Sequence, residues 1–204
     1  MNQPKVYLVD DDESFLRAVS RLLRHSGFAV ALHHSAAELL SNLGPEAVGC
    51  VVADLNMPGM DGLALQQSLQ KTGNPLPIVF LTGQGDIPAS VQAMRQGAED
   101  FLTKDAPKEN LIEAIQRALT RNEQERAARQ QHAAVQQKLA LLSDREREVL
   151  RHVVQGKLNK QIADDLGIHE RTVKLHRTAI TTKLGVYSVA ELTRMVQEAG
   201  VELG

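Results

Sequence analysis

The chain has no tryptophan, one cysteine, two tyrosines and four phenylalanines among its 204 residues. With aromatic residues at 3%, its cores must be assembled from Leu, Val, Ile and Ala. A lone cysteine cannot close an intramolecular disulfide and offers no thiolate cluster for zinc. Cys50 stands in the apolar run Gly49-Cys50-Val51-Val52-Ala53 and reads as a small buried hydrophobe, not a reactive thiol. No stretch approaches the roughly 20 apolar residues of a membrane-spanning helix. The opening MNQPKVYLVDDDES has no basic segment followed by a long apolar one, so no secretory signal is expected. No membrane association is expected, and the cytoplasm is the compartment consistent with these absences.

What is present divides unevenly. Residues 1–120 hold nine Lys and Arg against fourteen Asp and Glu, whereas residues 121–204 hold fourteen against eleven. An acidic front and a basic back suit a metal-binding domain joined to one that meets nucleic acid. The front half alternates short apolar runs with segments of helical spacing. The runs are Val6-Tyr7-Leu8-Val9, Phe28 to Leu32, Cys50 to Ala53, Ile78 to Leu81 and Asp100-Phe101-Leu102. Most lack strict alternation, as strands covered on both faces do. Ser35 and Pro88 mark helix starts, and Gly27 and Gly97 mark helix stops. The fold class this predicts is α/β, a five-stranded doubly wound parallel sheet spanning residues 4–120.

From residue 107 the pattern changes. Leu111, Ile115 and Leu119 form the stripe of the sheet domain's last helix. Residues 121–137 are polar all round yet rich in helix formers, which predicts a solvent-bridging linker helix. Residues 138–204 read as an all-α domain of four helices. Ser143 and Glu146 open the first as a capping box, Asn159 caps the second, and Gly167 separates it from a third that ends at Gly185. Ser188 opens the fourth.

Each of four chemically useful stretches lies at the carboxyl end of an apolar run: Asp10-Asp11-Asp12, Asp54, Thr82-Gly83 and Lys104. In the usual five-stranded doubly wound order, strands one and three flank the switch point, which sets Asp10 and Asp11 beside Asp54. Three carboxylates repel unless a cation neutralises them, and Mg²⁺ is the hard cation that suits such oxygen ligands. A carboxylate there could attack phosphorus while Thr82 bonds one phosphoryl oxygen and Lys104 pairs with another. The bland reading, in which each Asp merely caps a helix or forms a turn, does not explain why all four fall at strand ends.

The stretches Val9-Asp10-Asp11, Asp54 to Gly62 (DLNMPGMDG), Leu81-Thr82-Gly83, Gly97-Ala98 and Phe101 to Lys104 (FLTK) resemble the receiver domain of two-component response regulators. The resemblance implies that Asp54 accepts phosphate from a sensor histidine kinase. It implies that Asp10, Asp11, Asp54 and the backbone carbonyl of Asn56 hold Mg²⁺. Thr82 and Phe101 would form the switch pair, and Lys104 would sense the phosphate. Receivers usually carry Pro after that lysine; here Asp105 follows, and a trans bond with a locally altered loop is expected, because a cis bond before a non-proline costs about 3 kcal/mol.

The run Asn159 to His176 (NKQIADDLGIHERTVKLH) reads as helix, Gly-containing turn, helix. Together with Leu142 to Leu150 and Lys183-Leu184 it resembles the LuxR-type helix-turn-helix, so the whole chain is similar to regulators of the NarL/FixJ group. Lys174, Leu175 and Thr178 would then read bases of double-stranded DNA. Arg171, Thr172, His176, Arg177 and Lys183 would contact or approach phosphates. A homodimer formed on phosphorylation is implied, reading inverted half-sites, with RNA polymerase a further candidate partner. No enzyme activity is expected beyond the chain's own phosphotransfer and dephosphorylation at Asp54. His25, His33, His34, His132 and His152 lack partners at metal spacing and read as surface or helix-packing residues.

Two rivals exist. A haloacid-dehalogenase-like phosphohydrolase would use Asp10 as nucleophile, but no further strand and acidic pair follow Lys104 to complete its metal site. A degenerate receiver with constitutive DNA binding would not require the acidic triad.

Overall fold

The structure, a computed structural model, describes residues 4–73, 75–83 and 87–198. The chain divides into two compact units, Met1–Arg126 and Ala127–Gly204; the last six residues of the expected DNA-binding domain lie outside the described residues.

The first unit is built on strands β1 (Lys5–Val9), β2 (Ala29–His33), β3 (Gly49–Asp54), β4 (Ile78–Thr82) and β5 (Asp100–Thr103). All pair in parallel, in the order β2-β1-β3-β4-β5. Alternate residues of each central strand enter opposite cores. Val9, Val51, Ala53, Ile78 and Phe80 join one; it includes Ala36 and Leu39 of α2 (Ala36–Asn42), Leu65 and Leu69 of α3 (Gly62–Gln70), and Ala93 of α4 (Ile87–Arg95). Val6, Leu8, Cys50, Val52, Val79 and Leu81 join the other; Leu16 and Leu23 of α1 (Glu13–His25) and Leu111 and Ile115 of α5 (Lys108–Ala140) close it. Burial on both faces is why these strands carry no polar alternation. Cys50 is wholly buried, and burial pushes its thiol up to about 12, so it packs as a hydrophobe.

Three expectations are corrected by the structure, two of them in this unit and its helix α5. The sheet domain's last helix and the linker form one helix, α5, of 33 residues. No Gly or Pro interrupts it, and Ala, Leu, Glu, Gln and Arg sustain the turn. Nor is its linker portion exposed on every side. Asn122 is buried, its Oδ1 accepting from the Gly49 amide at 3.0 Å, while Val135 and Leu139 are buried in the second unit's core. Only Gly fits the strand end that Asn122 grips: φ is +140° and a Cβ would lie 1.8 Å from the Lys5 carbonyl oxygen. The second correction concerns His33, which is a buried strand residue stacked on Tyr7 with ring centroids 6.2 Å apart. Burial lowers its pKa, which favours the uncharged imidazole in that apolar setting.

The second unit holds the end of α5 and helices α6 (Asp144–Val154), α7 (Asn159–Leu166), α8 (Glu170–Leu184) and α9 (Val189–Glu198). Their core is aliphatic, with Val149, Leu150, Ile162, Val173, Ile180, Leu184 and Leu192 buried. Ser143 caps α6 in a complete capping box with Glu146, an arrangement worth about 1 kcal/mol. Gly167 and Gly185, both left-handed, end α7 and α8. Ser188 accepts from the Glu191 amide at 3.1 Å and so opens α9. Asn159 is not the cap of α7. Leu158 holds that position, its amide donating to the Gln161 side chain at 2.9 Å.

Candidate phosphoryl site and nucleic-acid interface

Strand ends assemble the first site. Asp10 follows β1, and its amide donates to the His33 carbonyl at 3.2 Å, so the chain leaves the sheet with Asp10 held at its edge. Asp10 Oδ1 then accepts from the Asp12 amide at 2.9 Å, and Asp12 turns outward to cap α1 through the Ser14 and Phe15 amides. Asp54 ends β3, beside β1 and β4. Its Oδ1 accepts from the Asn56 amide at 3.3 Å. The helix after this loop approaches closely, since Gly62 donates to the Leu55 carbonyl at 2.8 Å. A Cβ on Gly62 would lie 2.7 Å from the Phe80 ring and 2.8 Å from the Asp54 carbonyl oxygen, so the loop can close only with glycine there.

Lys104 reaches back from β5 to this edge. Its Nζ lies 2.6 Å from Asp10 Oδ2 and 2.8 Å from Asp54 Oδ2. It also stands 4.3 Å from the centroid of the Phe15 ring, a cation–π contact that screens it from water. Burial works against its charge, but the two carboxylates outweigh burial and raise its pKa. Burial pushes the Asp10 carboxyl up, with Lys104 partly offsetting the shift. The ammonium therefore neutralises only part of the negative charge gathered there. Ligand oxygens of Asp10, Asp11 and Asp54 all lie within 4.8 Å of one another. Three hard oxygens converging from two strand ends, with Asp11 exposed to water, fit a divalent cation of the Mg²⁺ type.

The remaining sequence candidates sit around this core. Thr82 is buried at the end of β4, its carbonyl accepting from the Lys104 amide at 2.8 Å. Leu81, its neighbour, pairs directly with Asp54. Phe101 is half-buried in β5 with its ring centroid 6.1 Å from that of Phe80. Asn56 is exposed in the loop beyond Asp54. Past Lys104 the Ala106 amide donates to Thr103 at 3.0 Å, closing a tight turn. No peptide bond among the described residues is cis, so Asp105 is accommodated as expected. Phe15 was not legible as a site residue, for it resembles an ordinary core position; Gly62 belongs to the receiver-like motif, but its close approach to Asp54 shows only in the fold.

The helix-turn-helix is α7, Gly167 and α8. Ile162, Ala163 and Val173 are buried, with Leu166 and Ile168 packed against them. Arg145 of α6 donates to the Leu166 carbonyl at 2.7 Å, satisfying an end of α7. On α8, Arg171, Lys174, Leu175 and Thr178 are exposed, while Thr172, His176 and Arg177 are half-buried. Leu175 keeps 65% of its surface exposed on this helix. His169 occupies the N-cap of α8 without a side-chain cap bond. Three cations of α8 have partners within the unit. Lys174 Nζ lies 3.7 Å from Glu170 Oε1. Arg177 Nη1 donates to Asn159 Oδ1 at 3.1 Å. Lys183 pairs with Glu146 at 2.7 Å and donates to the Leu141 carbonyl at 3.3 Å.

A carboxylate and lysine cluster at the switch point of a parallel sheet, on one chain with a helix-turn-helix, defines a class: DNA-binding regulators controlled through phosphoryl chemistry. Comparison with known proteins names the family. Residues 6–116 match the response regulator receiver domain, and residues 140–196 match the luxR family of bacterial regulatory proteins. The response regulator protein TmoT of Ectopseudomonas mendocina is 42% identical over 192 residues, covering 94% of this chain and 87% of the relative. The transcriptional regulatory protein FixJ of Azorhizobium caulinodans is 40% identical over 196 residues, covering 96% and 93%. Among solved structures, response regulator StyR superposes with a TM-score of 0.87 at 42% identity, covering 97% of this chain and all of that one. Full-length FixJ from B. japonicum gives a TM-score of 0.59 at 34% identity, covering 98% of each chain. The chain belongs to the response-regulator family, in its NarL/FixJ group, and is a phosphorylation-dependent DNA-binding transcription regulator. Its receiver domain implies a histidine kinase partner and its LuxR-family domain implies DNA as ligand. No helix among the described residues is long and apolar enough to cross a membrane.

Proposed function

We propose that Asp54 is the phosphoacceptor, with Asp10, Asp11, Asp54 and the carbonyl of Asn56 holding Mg²⁺. The carrying observation is the convergence of the Asp10, Asp11 and Asp54 oxygens within 4.8 Å, with Lys104 bridging two of them. Mg²⁺, when bound, supplies charge neutralisation on the incoming phosphoryl oxygens. An Asp54 oxygen forms the new bond to phosphorus while the phosphorus–nitrogen bond of a kinase phosphohistidine breaks and its electron pair returns to the imidazole. In the resting protein Lys104 holds Asp54 by one oxygen; with phosphate present its ammonium pairs with a phosphoryl oxygen. The Thr82 hydroxyl moves towards another, and the Phe101 ring takes the space it leaves. Hydrolysis of the acyl phosphate, catalysed by the chain itself, ends the signal.

The altered face of α4, β5 and α5 favours a homodimer, and two DNA-binding units then read inverted half-sites. Lys174, Leu175 and Thr178 meet base edges; Arg171, Thr172, His176 and Arg177 meet the DNA backbone, and Lys183, expected from the sequence to join them, is set apart here because its ammonium is tied to Glu146. Bound regulator engages RNA polymerase, in the cytoplasm. The test is intact mass after acetyl phosphate with Mg²⁺, comparing the wild type with Asp54→Asn. One phosphoryl group is expected on the wild type and none on the variant. A phosphoryl group on both would refute Asp54 as acceptor, and one lost only on substituting Asp10 would favour the phosphohydrolase chemistry.

A further inference from the structure

The Asn159 side chain departs from its local sequence logic. An asparagine before a helical segment ordinarily caps it by accepting from an amide two or three residues on. Here it lies one position too late to cap, inside α7, and its Oδ1 accepts instead from Arg177 Nη1 on α8, 18 residues away. The partial cap that α7 has comes from Gln161. Both Asn159 and Arg177 are half-buried. The packing of α7 on α8 is already provided by Ile162, Ala163, Val173, Leu166 and Ile168, so a polar tie is not needed to hold the helices together.

What the tie does fix is a side chain. A free arginine side chain samples many rotamers, and binding through its guanidinium must restrict them. A neutral acceptor at one end of the guanidinium restricts it without cancelling its charge, leaving the other N–H groups free to donate. Glu146 treats Lys183 differently, since that pair neutralises the cation outright. We infer that Asn159 is a positioning residue that presents Arg177 to a DNA backbone phosphate. This rests on α8 being the DNA-facing helix.

The test uses the full chain and two duplexes: one enriched from a random-sequence pool by the wild type, and one of mixed sequence. Arg177→Ala is expected to weaken binding to both about tenfold and to lessen the slope of log affinity against log salt by about 0.9, the loss of one phosphate contact. Asn159→Ala is expected to reproduce a large part of both changes although it removes no charge. The double variant is expected to bind like Arg177→Ala alone. Asn159→Asp, which keeps an acceptor oxygen at the same reach, guards against misfolding: its energetic coupling to position 177 should persist in a double-mutant cycle. An unchanged salt slope in Asn159→Ala, or strict additivity with Arg177→Ala, would overturn the positioning role. Failure of the wild type to enrich any duplex from the pool and to bind the mixed-sequence duplex at low salt would instead overturn the DNA-facing reading beneath it.

Discussion

The two units handle charge in opposite ways. In the receiver, like charges are driven together: Asp10 is 1% exposed, Asp54 is at the same edge of the sheet, and one lysine bridges them. In the DNA-binding unit the cations of α8 are spread along an exposed helix, and their partners differ one by one. Arg177 is held by a neutral amide, Lys183 by a buried carboxylate, and Lys174 lies 3.7 Å from Glu170. The first arrangement stores electrostatic cost that a metal and a phosphoryl group can relieve, which is what a switch requires. The second keeps most of its charge available to an extended polyanion, whose backbone dominates affinity.

Removing the bridging lysine tests that contrast most severely. Lys104→Met leaves two buried carboxylates without their cation. Breaking a fully buried pair costs about 3–5 kcal/mol. Lys104 retains 21% side-chain exposure, and Asp10, whose pKa burial already raises, can take up a proton. A loss of about 2 kcal/mol from the receiver's unfolding free energy in metal-free buffer is the expected result. Excess Mg²⁺ should stabilise the variant more than it stabilises the wild type, because it replaces the missing charge. Denaturant unfolding with EDTA and then with Mg²⁺ reads both effects. If the metal stabilises wild type and variant equally, Lys104 and the cation do not share the burden of the same carboxylates.

Lys183→Met and Arg171→Ala sharpen the other side. Lys183 resembles Arg171 in sequence, as a cation on one helix, yet it ties α8 to the capping box of α6. Lys183→Met should cost about 1 kcal/mol of stability and leave the salt slope of DNA binding unchanged. Arg171, exposed at the start of α8, should behave inversely, with the slope lessened by about 0.9 and thermal stability intact. A lessened slope in Lys183→Met would return Lys183 to the set of phosphate contacts.

That pair also marks where sequence reasoning stops. Periodicity found every strand to within a residue or two, because burial on both faces leaves a contiguous apolar run, as in Cys50 to Ala53. It found the convergence of Asp10, Asp54 and Lys104 because topology alone delivers strand ends to one edge. It missed what depends on side-chain reach across the fold. Phe15 covers Lys104, Asn122 grips Gly49, and Asn159 passes over its capping role to meet Arg177. It also divided α5 in two, since a polar stretch looks like a new element when the buried positions within it, Asn122 among them, are sparse and polar. Long-range polar contacts leave no local pattern, so no window along the chain can reveal them.

The smallest effect separates the charge of Glu146 from its capping geometry. Its Oε2 accepts from the Lys183 ammonium and from the Ser143 amide, each at 2.7 Å. The bond from Lys183, followed by that from Ser143, depresses its pKa below the ordinary 4.5. A carboxyl whose folded value is depressed contributes stability that is complete above its unfolded value and is lost as pH falls through the folded one. Glu146→Gln retains an acceptor for the amide but no charge for Lys183, so at neutral pH it should cost roughly 0.5 kcal/mol, in keeping with a partly exposed lysine partner. That cost should shrink as pH falls below 4.5, until wild type and variant unfold at the same temperature. Melting curves of both proteins over that range are sufficient. A gap that stayed constant with pH would mean that Glu146 acts by shape and hydrogen bonding alone, and the charged tie between α6 and α8 would then contribute nothing to the stability of the unit.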